Sequence, residues 1–512
     1  MLFFRWNNKK PSSSQQLQQN LHQGKISSRL SDNIAEIHSI FSDAPDLIVR
    51  ELIIKQSQSQ AALVYLSGVT DSRTIFNHVL NPLIFEDGKG NSEEDIRVSL
   101  GHIQETNTWP QIENAILEGE CVLFIDKQTD AYIYDTPEFP KRSLEDSPIE
   151  SSLTGAHVGF TETGGDNVAL IRKEIHNREL KIKEMTVGKR GKLKLSIMYL
   201  ADVANPEVLQ ELVARIQKID VDSVINAGAL AEYMEDNPYS PFPQLLLTER
   251  PDFAAAEILQ GRIVTVVDRS PSVIIGPVTF DSFFKSIDDY SSRWMVASFI
   301  RLMRFLGFLI AIFLPATYIA IISFHFEVIP LKLLLSIGAS RERIPFPPYI
   351  EAFIMELTLE MLREAGIRLP AKIGQTVGIV GGIVIGQAAV AAGIVSNIMV
   401  IIVALTAIAS FIIPNYDMGS AIRIVRFPMM ILASLFGFVG LTVGLMILLA
   451  HFIVLESLGT PYGSPLAPLR FPDWKDVFIR FPQWSIDKRP LSAKAMQRKK
   501  ANFKRPEGDK PS

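Results

Sequence analysis

Charged residues are dense in this chain before Phe305, whereas long uncharged stretches lie almost entirely after it. A helix needs about 20 predominantly apolar residues to cross a bilayer. The pattern therefore predicts an α/β region that stays in the cytoplasm, followed by an α-helical transmembrane domain over residues 293–457.

A strand-and-helix pattern occurs twice in the polar part. The first copy has an apolar run at residues 61–66 (AALVYL), helical periodicity over 74–84 and a second apolar run at 121–125. The second copy repeats these elements in the same order, at residues 195–200, 206–219 and 263–267. The segments ILEGECVLFID and ILQGRIVTVVD, which contain the last run of each copy, align without gaps. We therefore predict two related α/β modules in tandem.

The two copies define the expected domains of the polar part. These are a disordered tail at 1–33, a first module at 34–150, a linker at 151–192 and a second module at 193–292. The tail is rich in Ser, Gln and Asn, and the linker is rich in Pro, Ser and charge, so neither buries much apolar area. Apolar residues at helical spacing over 34–55, interrupted at Pro45, predict two helices at the start of the first module.

Two aspartates occupy equivalent places in the repeat, Asp126 and Asp268, each directly after a predicted strand. A pair of carboxylates can serve as acid and base, but equivalent positions in a repeat favour a role in the turn. The chain has no GxGxxG, GxxxxGK[ST] or HExxH motif, and Cys121 is its one cysteine. We therefore predict no enzyme activity, no cofactor and no metal site.

The apolar part predicts about four spans, with a kink in the first at Pro315. The spans are expected at residues 305–324, 373–392, 397–413 and 429–455. Residues 328–337 are apolar but short, and we expect them at the interface or in a re-entrant segment. A polar loop is expected at 415–426.

The stretch 373–393 contains no charge and has two distinct helical faces. One is a strip of small residues, which lets another backbone come close: Gly374, Gly378, Gly382 and Gly386. The other is apolar in its centre and polar at its ends: Thr376, Val380, Ile383 and Gln387. Such a helix is either a buried strut or the lining of a pore with an apolar constriction.

The segment 348–366 is amphipathic, with Glu356, Glu360 and Glu364 at helical spacing on one face. One interpretation is a helix that lies in the membrane interface with a solvated acidic face. The other requires an oligomer, in which symmetry converts Glu356 and Glu360 into acidic rings that attract cations and repel anions.

The tail at 458–512 is basic, with twelve Lys and Arg against five Asp and Glu after Pro461. The positive-inside rule places it in the cytoplasm, and Arg301 and Arg304 place the start of the first span on the same side. Both termini are then cytoplasmic, which requires an even number of crossings. The run RKKANFKR is a nucleic-acid or lipid pattern; beside a membrane domain, anionic lipid is the favoured partner.

Several motifs together resemble the A subunits of the GerA-type spore germinant receptors of endospore-forming bacteria. The matching stretches are GFTE with NVALIRK, SPFPQLLLTERPD, LQGRIVTVVD, SPSVIIGPVTF, LREAGIRLP and IGQTVGIVGGIVIGQAAV, and the resemblance covers about residues 60–470. Two positions depart from the family pattern, Arg269 in a turn and the segment DDYSSRW at 288–294.

The resemblance implies a place and partners that the composition does not give. It implies a subunit of a nutrient receptor in the spore inner membrane, with a transporter-like B subunit and a lipoprotein C subunit as partners. It also implies a homo-oligomeric ring, a pentamer, that acts as a nutrient-gated cation channel and starts germination.

Two other functions stay open beside the channel. The chain is alternatively a non-conducting receptor or scaffold, with ion transport carried by a partner subunit. A secondary transporter is the third reading, but its usual repeats lie in the membrane, whereas here the duplication lies in the polar part. His451 is the one ionisable side chain within a predicted span.

Overall fold

A computed structural model describes residues 24–85, 103–137, 158–370, 381–382 and 384–500. The chain divides into two compact units, each treated by itself below. The α/β unit comprises residues 1–235, 245–277 and 482–512. The helical unit comprises residues 236–244 and 278–481.

The α/β unit contains two five-stranded sheets, and every pairing in them is antiparallel. The first sheet is formed by β1 (Leu47–Ile53), β2 (Gln60–Leu66), β3 (Ile103–Thr106), β4 (Cys121–Ile125) and β5 (Ala131–Tyr134). The second is formed by β6 (Leu180–Val187), β7 (Leu193–Leu200), β8 (Leu246–Thr248), β9 (Ile263–Val267) and β10 (Val273–Gly276). Their strand orders, β1-β2-β4-β5-β3 and β6-β7-β9-β10-β8, are the same.

The helices of the α/β unit also occur at matching places. They are α1 (Leu30–Ile40), a segment formed by Ser72–Thr74, Ile75–Leu80 and Asn81–Phe85, α2 (Trp109–Glu118), α3 (Gly164–Glu174), α4 (Pro206–Lys218), α5 (Ala227–Met234) and α6 (Pro251–Leu259). α1 and α3 each precede the first strand of a sheet, and α2 and α6 each precede the fourth.

Alternation along the central strands explains the packing of the first sheet. Val64 and Phe124 belong to the core on the side of α1 and α2, whereas Leu63 and Leu123 belong to the core on the other side, with Val79. Successive side chains of a strand point to opposite faces, so a fully apolar strand needs cover on both. Helices supply that cover.

Asp126 and Asp268 fix the starts of helices. Asp126 Oδ1 accepts a hydrogen bond from the backbone N–H of Leu30 at 3.2 Å, and Asp268 Oδ1 accepts one from Gly164 at 3.1 Å. A carboxylate at this position satisfies an N–H that has no partner within the helix. The sequence favoured a role in the turn after the strand; in the structure each aspartate instead binds the first N–H of a helix from a distant part of the chain.

A buried asparagine makes the same two hydrogen bonds in each module. Asn33 accepts from Ser27 N at 2.9 Å and donates to Ser27 O at 2.8 Å. Asn167 accepts from Thr161 N at 2.8 Å and donates to Thr161 O at 2.6 Å. The side chain thus closes the loop before the helix in both modules.

Two expectations for the α/β unit are wrong. The second helix expected within 34–55 is strand β1, because pairing with β2 prevails over the helical spacing of its apolar residues. The expected linker 151–192 contains α3 and β6, which are the first helix and first strand of the second sheet. β6 is an edge strand and carries polar residues, which made it resemble a linker.

The expected basic tail 458–512 is divided between the units. Residues 458–481 belong to the helical unit, and residues 482–500, called the strap below, pack on the second module of the α/β unit. Met496 N donates to Val203 O at 2.8 Å, and Arg489 Nε donates to Leu259 O at 2.8 Å.

The helical unit is built from helices of very different length. They are α7 (Asp288–Ser291), α8 (Trp294–Phe324), α9 (Leu331–Arg341), α10 (Pro348–Arg368), α11 (Asn397–Phe411) and α12 (Tyr416–Val454). Residues 381–382 and 384–391 are also helical. Among the described residues, α8 and α12 are the two helices long and apolar enough to cross a membrane.

α12 is broken at Gly437, whose φ of 59° and ψ of −134° are not helical. The chain folds back there, since a Cβ on Gly444 would lie 2.5 Å from Met429 Sδ. In a straight helix those residues would be about 22 Å apart. The expected last span at 429–455 is therefore two short arms packed together, and the polar loop expected at 415–426 is the start of α12.

Candidate functional site

The acidic residues of α10 meet three arginines in the helical unit. Glu351 pairs with Arg341 at 2.9 Å, Glu360 pairs with Arg423 at 3.2 Å, and Glu356 pairs with Arg426 between them. These three ion pairs are called the Glu–Arg ladder below. It joins α10 to α9 and to the first arm of α12.

The central pair of the ladder is fully withdrawn from solvent. Glu356 is 0% exposed and Arg426 is 1% exposed. Arg426 Nη1 donates to Glu356 Oε2, and Arg426 Nε donates to the backbone carbonyl of Ala311 in α8 at 2.8 Å. Ions are costly to bury unless they are paired and hydrogen-bonded, so the two residues depend on each other.

The outer pairs differ in environment. Glu351 is buried, and its second oxygen accepts a hydrogen bond from Ser396 N at 3.1 Å, at the start of α11. Glu360 and Arg423 are partly exposed, at 26% and 13%. The ladder thus has a buried central pair and a partly exposed pair at each end.

A second ionic cluster lies where α8 begins. Asp289 Oδ2 accepts hydrogen bonds from Arg301 Nε and Arg304 Nη1, both at 2.8 Å. Arg301 Nη1 also donates to Asp476 Oδ1 at 2.8 Å, and Arg480 Nη1 donates to Ser292 O at 2.9 Å. This junction cluster ties the segment after α12 to the start of α8.

Tyr290 lies between two guanidinium groups of the junction cluster. The guanidinium carbons of Arg301 and Arg480 are 5.4 Å and 5.1 Å from its ring centroid. Both distances are within the range of a cation–π contact, so Tyr290 helps to stabilise the two positive charges.

Burial and charge shift the ionisation of three groups around the start of α8. Burial alone lowers the pKa of Lys285, but Asp281 at 2.7 Å and Asp476 outweigh it and raise that pKa. Burial and then Asp476 raise the pKa of Tyr290. Burial alone raises the pKa of Asp476, but Lys285 and Arg301 outweigh it and lower that pKa. These shifts keep Lys285 and Asp476 charged and Tyr290 neutral at neutral pH.

The sequence-predicted pore and packing residues are only partly described. Gly386 is buried, with Val400 3.7 Å from the place of a Cβ, whereas Gly382 and Gln387 are exposed. The remaining members lie outside the described residues: Gly374, Gly378, Thr376, Val380 and Ile383. The acidic face is different from the expectation, because Glu356 is buried against Arg426 rather than solvated, and Glu360 is paired with Arg423.

The α/β unit has a cavity of about 370 Å³ between its two modules. Its lining is mostly polar: Glu36, Ser39, Ile40, Ser42, Asp43, Arg178, Glu179, Lys181, Tyr199 and Ala201. Within the described part of the chain, no group of three or more His, Cys, Asp or Glu is placed to hold a metal ion. Cys121 is buried, and that burial raises the pKa of its thiol to about 12.

A family model described as Bacillus/Clostridium GerA spore germination protein matches residues 35–492. The chain belongs to the GerA family. This confirms the resemblance seen in the sequence motifs, and the match covers all of the helical unit and most of the α/β unit.

GerA relatives match along nearly their whole length. Spore germination protein KA of Bacillus subtilis (strain 168) is 39% identical over 473 residues, 91% of this chain and 87% of the relative. Spore germination protein GerLA of Bacillus cereus is 39% identical over 471 residues, 91% of this chain and 96% of the relative. The names support a role in spore germination.

Two further proteins are similar to this chain. The uncharacterized membrane protein YfkQ of Bacillus subtilis (strain 168) is 39% identical over 469 residues, 91% of each chain. That name and the two apolar helices indicate membrane association. The crystal structure of the N-terminal domain of the A subunit of the Bacillus megaterium spore germinant receptor GerK3 covers 50% of this chain and 98% of its own, with 26% identity and a TM-score of 0.40.

Sequence reasoning found the glutamates of this GerA chain but missed their partners. Arg423 and Arg426 lie in a stretch whose composition predicts a polar loop, and residues of such a loop are expected at the surface. The feature of the sequence that indicates a buried hydrogen-bond donor near α8 is Pro315. An interior proline leaves a helix carbonyl without its usual donor, and that carbonyl needs a partner from elsewhere.

Proposed function

We propose that this chain is the A subunit of a nutrient receptor in the spore inner membrane and forms a nutrient-gated cation channel. In this proposal the subunits assemble as a homo-oligomeric ring, a pentamer, beside a transporter-like B subunit and a lipoprotein C subunit. Both termini are cytoplasmic, so the chain crosses the membrane an even number of times. It is not an enzyme and uses no cofactor.

The observation that carries the proposal is the Glu–Arg ladder, three ion pairs between helices of the helical unit. Ionisable side chains in membrane segments are rare and typically mark ion pathways or the elements that gate them. Here three glutamates of one helix are neutralised by arginines of two others. Such an arrangement suits a gating element that holds its charges paired.

In the proposed channel, the uncharged stretch 373–393 lines the pore and the ladder braces it from α10. Val380 and Ile383 form the apolar constriction, and Thr376 and Gln387 flank it. Membrane lipids are expected partners of the apolar faces and of the basic residues, and nucleic acid is not. The matching strand orders further support a tandem duplication of the two α/β modules.

A second function, a non-conducting receptor or scaffold, has one observation in its favour. Glu356 is buried and paired with Arg426, so it is not available to attract cations. The oligomeric state separates the two functions. A closed ring of purified full-length chains in nanodiscs, measured by mass photometry, supports the channel, whereas a monomer or a one-to-one pair with the B subunit supports the scaffold.

The pore assignment is tested by ion release from spores that carry Val380→Ala or Gln387→Ala. Removing bulk at an apolar constriction allows water to enter, so Val380→Ala should raise ion release without nutrient by about tenfold. Gln387→Ala should alter the rate of the nutrient response.

The control is Ile385→Ala, which removes similar bulk on a different face of the same helix. It should leave both dormancy and response within about twofold of the parent. Unchanged dormancy and unchanged response in Val380→Ala and Gln387→Ala, with normal receptor levels, would refute the pore assignment.

A further inference from the structure

We infer that Arg426 is a positioning residue that holds the apolar helix α8 at its interior proline. Pro315 lies inside α8 and is buried. Proline has no backbone N–H, so the carbonyl four residues earlier has no donor from its own helix. That carbonyl belongs to Ala311 and is the one that receives Arg426 Nε at 2.8 Å.

The geometry of a guanidinium explains why an arginine serves here. Its planar fork presents N–H groups in two directions at once. Arg426 uses Nε for Ala311 in α8 and Nη1 for Glu356 in α10, while its own backbone lies in α12. One side chain therefore joins three helices at a point that is shut off from solvent.

The glutamate and the proline act on the same arginine from opposite sides. Glu356 anchors the guanidinium and neutralises its charge, and the carbonyl freed by Pro315 gives it a second acceptor. Breaking either contact leaves a buried polar group without compensation. We therefore expect the geometry of α8 at Pro315 and the centre of the Glu–Arg ladder to change together.

The test uses Arg426→Lys and Pro315→Ala, alone and combined. Lysine keeps a cation beside Glu356 but lacks the fork that also reaches Ala311. Alanine at position 315 restores a backbone donor for Ala311, so the arginine contact becomes redundant. The two substitutions should therefore be strongly non-additive.

The first measurement reports the shape of α8 and does not depend on ion conduction. Spin labels are placed at Leu302→Cys and Phe324→Cys, two exposed positions on either side of Pro315. In a straight helix they would be about 33 Å apart. The native Cys121 is buried in the α/β unit and does not compete for label. In full-length chains in nanodiscs, Arg426→Lys should broaden or shift the distance distribution, and adding Pro315→Ala should abolish that response.

The second measurement rests on the proposed function. In spores, Arg426→Lys should move the nutrient concentration for half-maximal ion release by at least about fivefold. In the Pro315→Ala background the same substitution should move it by less than about twofold. Pro428→Ala, at an exposed proline within α12, is the matched control and should not suppress the effect.

The outcomes distinguish the role inferred for Arg426 from the proposed channel function. If Arg426→Lys changes the spin-label distances equally with and without Pro315→Ala, the role inferred for Arg426 is refuted. If Arg426→Lys changes the spin-label distances but not ion release, the result supports the role inferred for Arg426 and contradicts the channel. If Arg426→Lys prevents accumulation, the double variant decides: adding Pro315→Ala should restore accumulation, with an unfolding midpoint in detergent close to that of Pro315→Ala alone. Failure of either result refutes the role inferred for Arg426.

Discussion

At the scale of single residues, the junction cluster holds charges that depend on one another. Asp476 accepts hydrogen bonds from Arg301 at 2.8 Å and from the hydroxyl of Tyr290 at 2.8 Å. Its carboxylate is 21% exposed, so solvent weakens these contacts only in part. The side chain therefore contributes to stability as an anion, and its contribution depends on pH.

We expect Asp476→Asn to lower the free energy of unfolding by about 2 kcal/mol at neutral pH, because the arginine loses its charged partner. The pKa of Asp476 is lowered in the folded protein, so this stability is fully present above the unfolded value of about 3.9. It is lost as pH falls through the folded pKa. The difference between variant and parent should then shrink below about pH 4.

The measurement is thermal or denaturant unfolding of purified full-length chain in detergent, from neutral pH to about pH 3. Asp220→Asn is the control, since Asp220 and Lys189 form an exposed ion pair and such pairs contribute little. A constant deficit of Asp476→Asn at every pH would show that the side chain acts by shape and not by charge.

At the scale of elements, Gly437 permits the fold-back in α12. Its φ of 59° lies in the left-handed region, and a Cβ there would lie 2.9 Å from His325 Cε1 and 3.0 Å from Phe324 Cβ. Gly437→Ala should therefore lower the free energy of unfolding by about 1–3 kcal/mol. Gly338→Ala is the matched control, since Gly338 lies in α9 with nothing within 4 Å, and it should be neutral or stabilising by up to about 1 kcal/mol.

Thermal unfolding in detergent and receptor accumulation in spores test this together. If Gly437→Ala is as stable as Gly338→Ala, the break in α12 does not require glycine. Irregular backbone in a membrane region is tolerated only where protein covers it. Gly437 is buried, which agrees with that requirement.

The same scale shows what sequence patterns can and cannot predict. Strands buried on both faces, such as β4 and β9, read as continuous apolar runs and were predicted within a residue or two. Strands β1 and β6 were missed, because edge strands are half exposed and carry polar residues. Hydropathy predicted the last span but not its break, since a change of backbone angles at Gly437 leaves the apolar count unchanged.

The candidate site was predictable in part for the same physical reason. Helical spacing showed that Glu356 and Glu360 share a face, because residues four apart are neighbours on a helix. It did not show which residues face them, since Arg423 and Arg426 come from a distant part of the chain. Long-range partners follow from tertiary packing, which periodicity does not encode.

At the scale of the whole molecule, the chain returns to its second α/β module after the helical unit. The strap lies against that module at Gly261, whose φ is 97° and where a Cβ would lie 2.9 Å from Ala495 Cβ. The backbone N–H of Met496 donates to Val203 O at 2.8 Å. The last described residues of the chain are therefore part of the α/β unit and are held on its second module by backbone contacts.

We expect Gly261→Ala to loosen the strap, because its methyl group would displace Ala495. Amide exchange at Met496 should then become at least about tenfold faster, since the Val203 hydrogen bond opens more often. Gly188→Ala is the control: its φ of 89° imposes a similar backbone strain, but its close neighbours are Asp222 and Ser223, not the strap. Equal exchange at Met496 in both variants would show that backbone strain in the module, and not contact with the strap, governs docking.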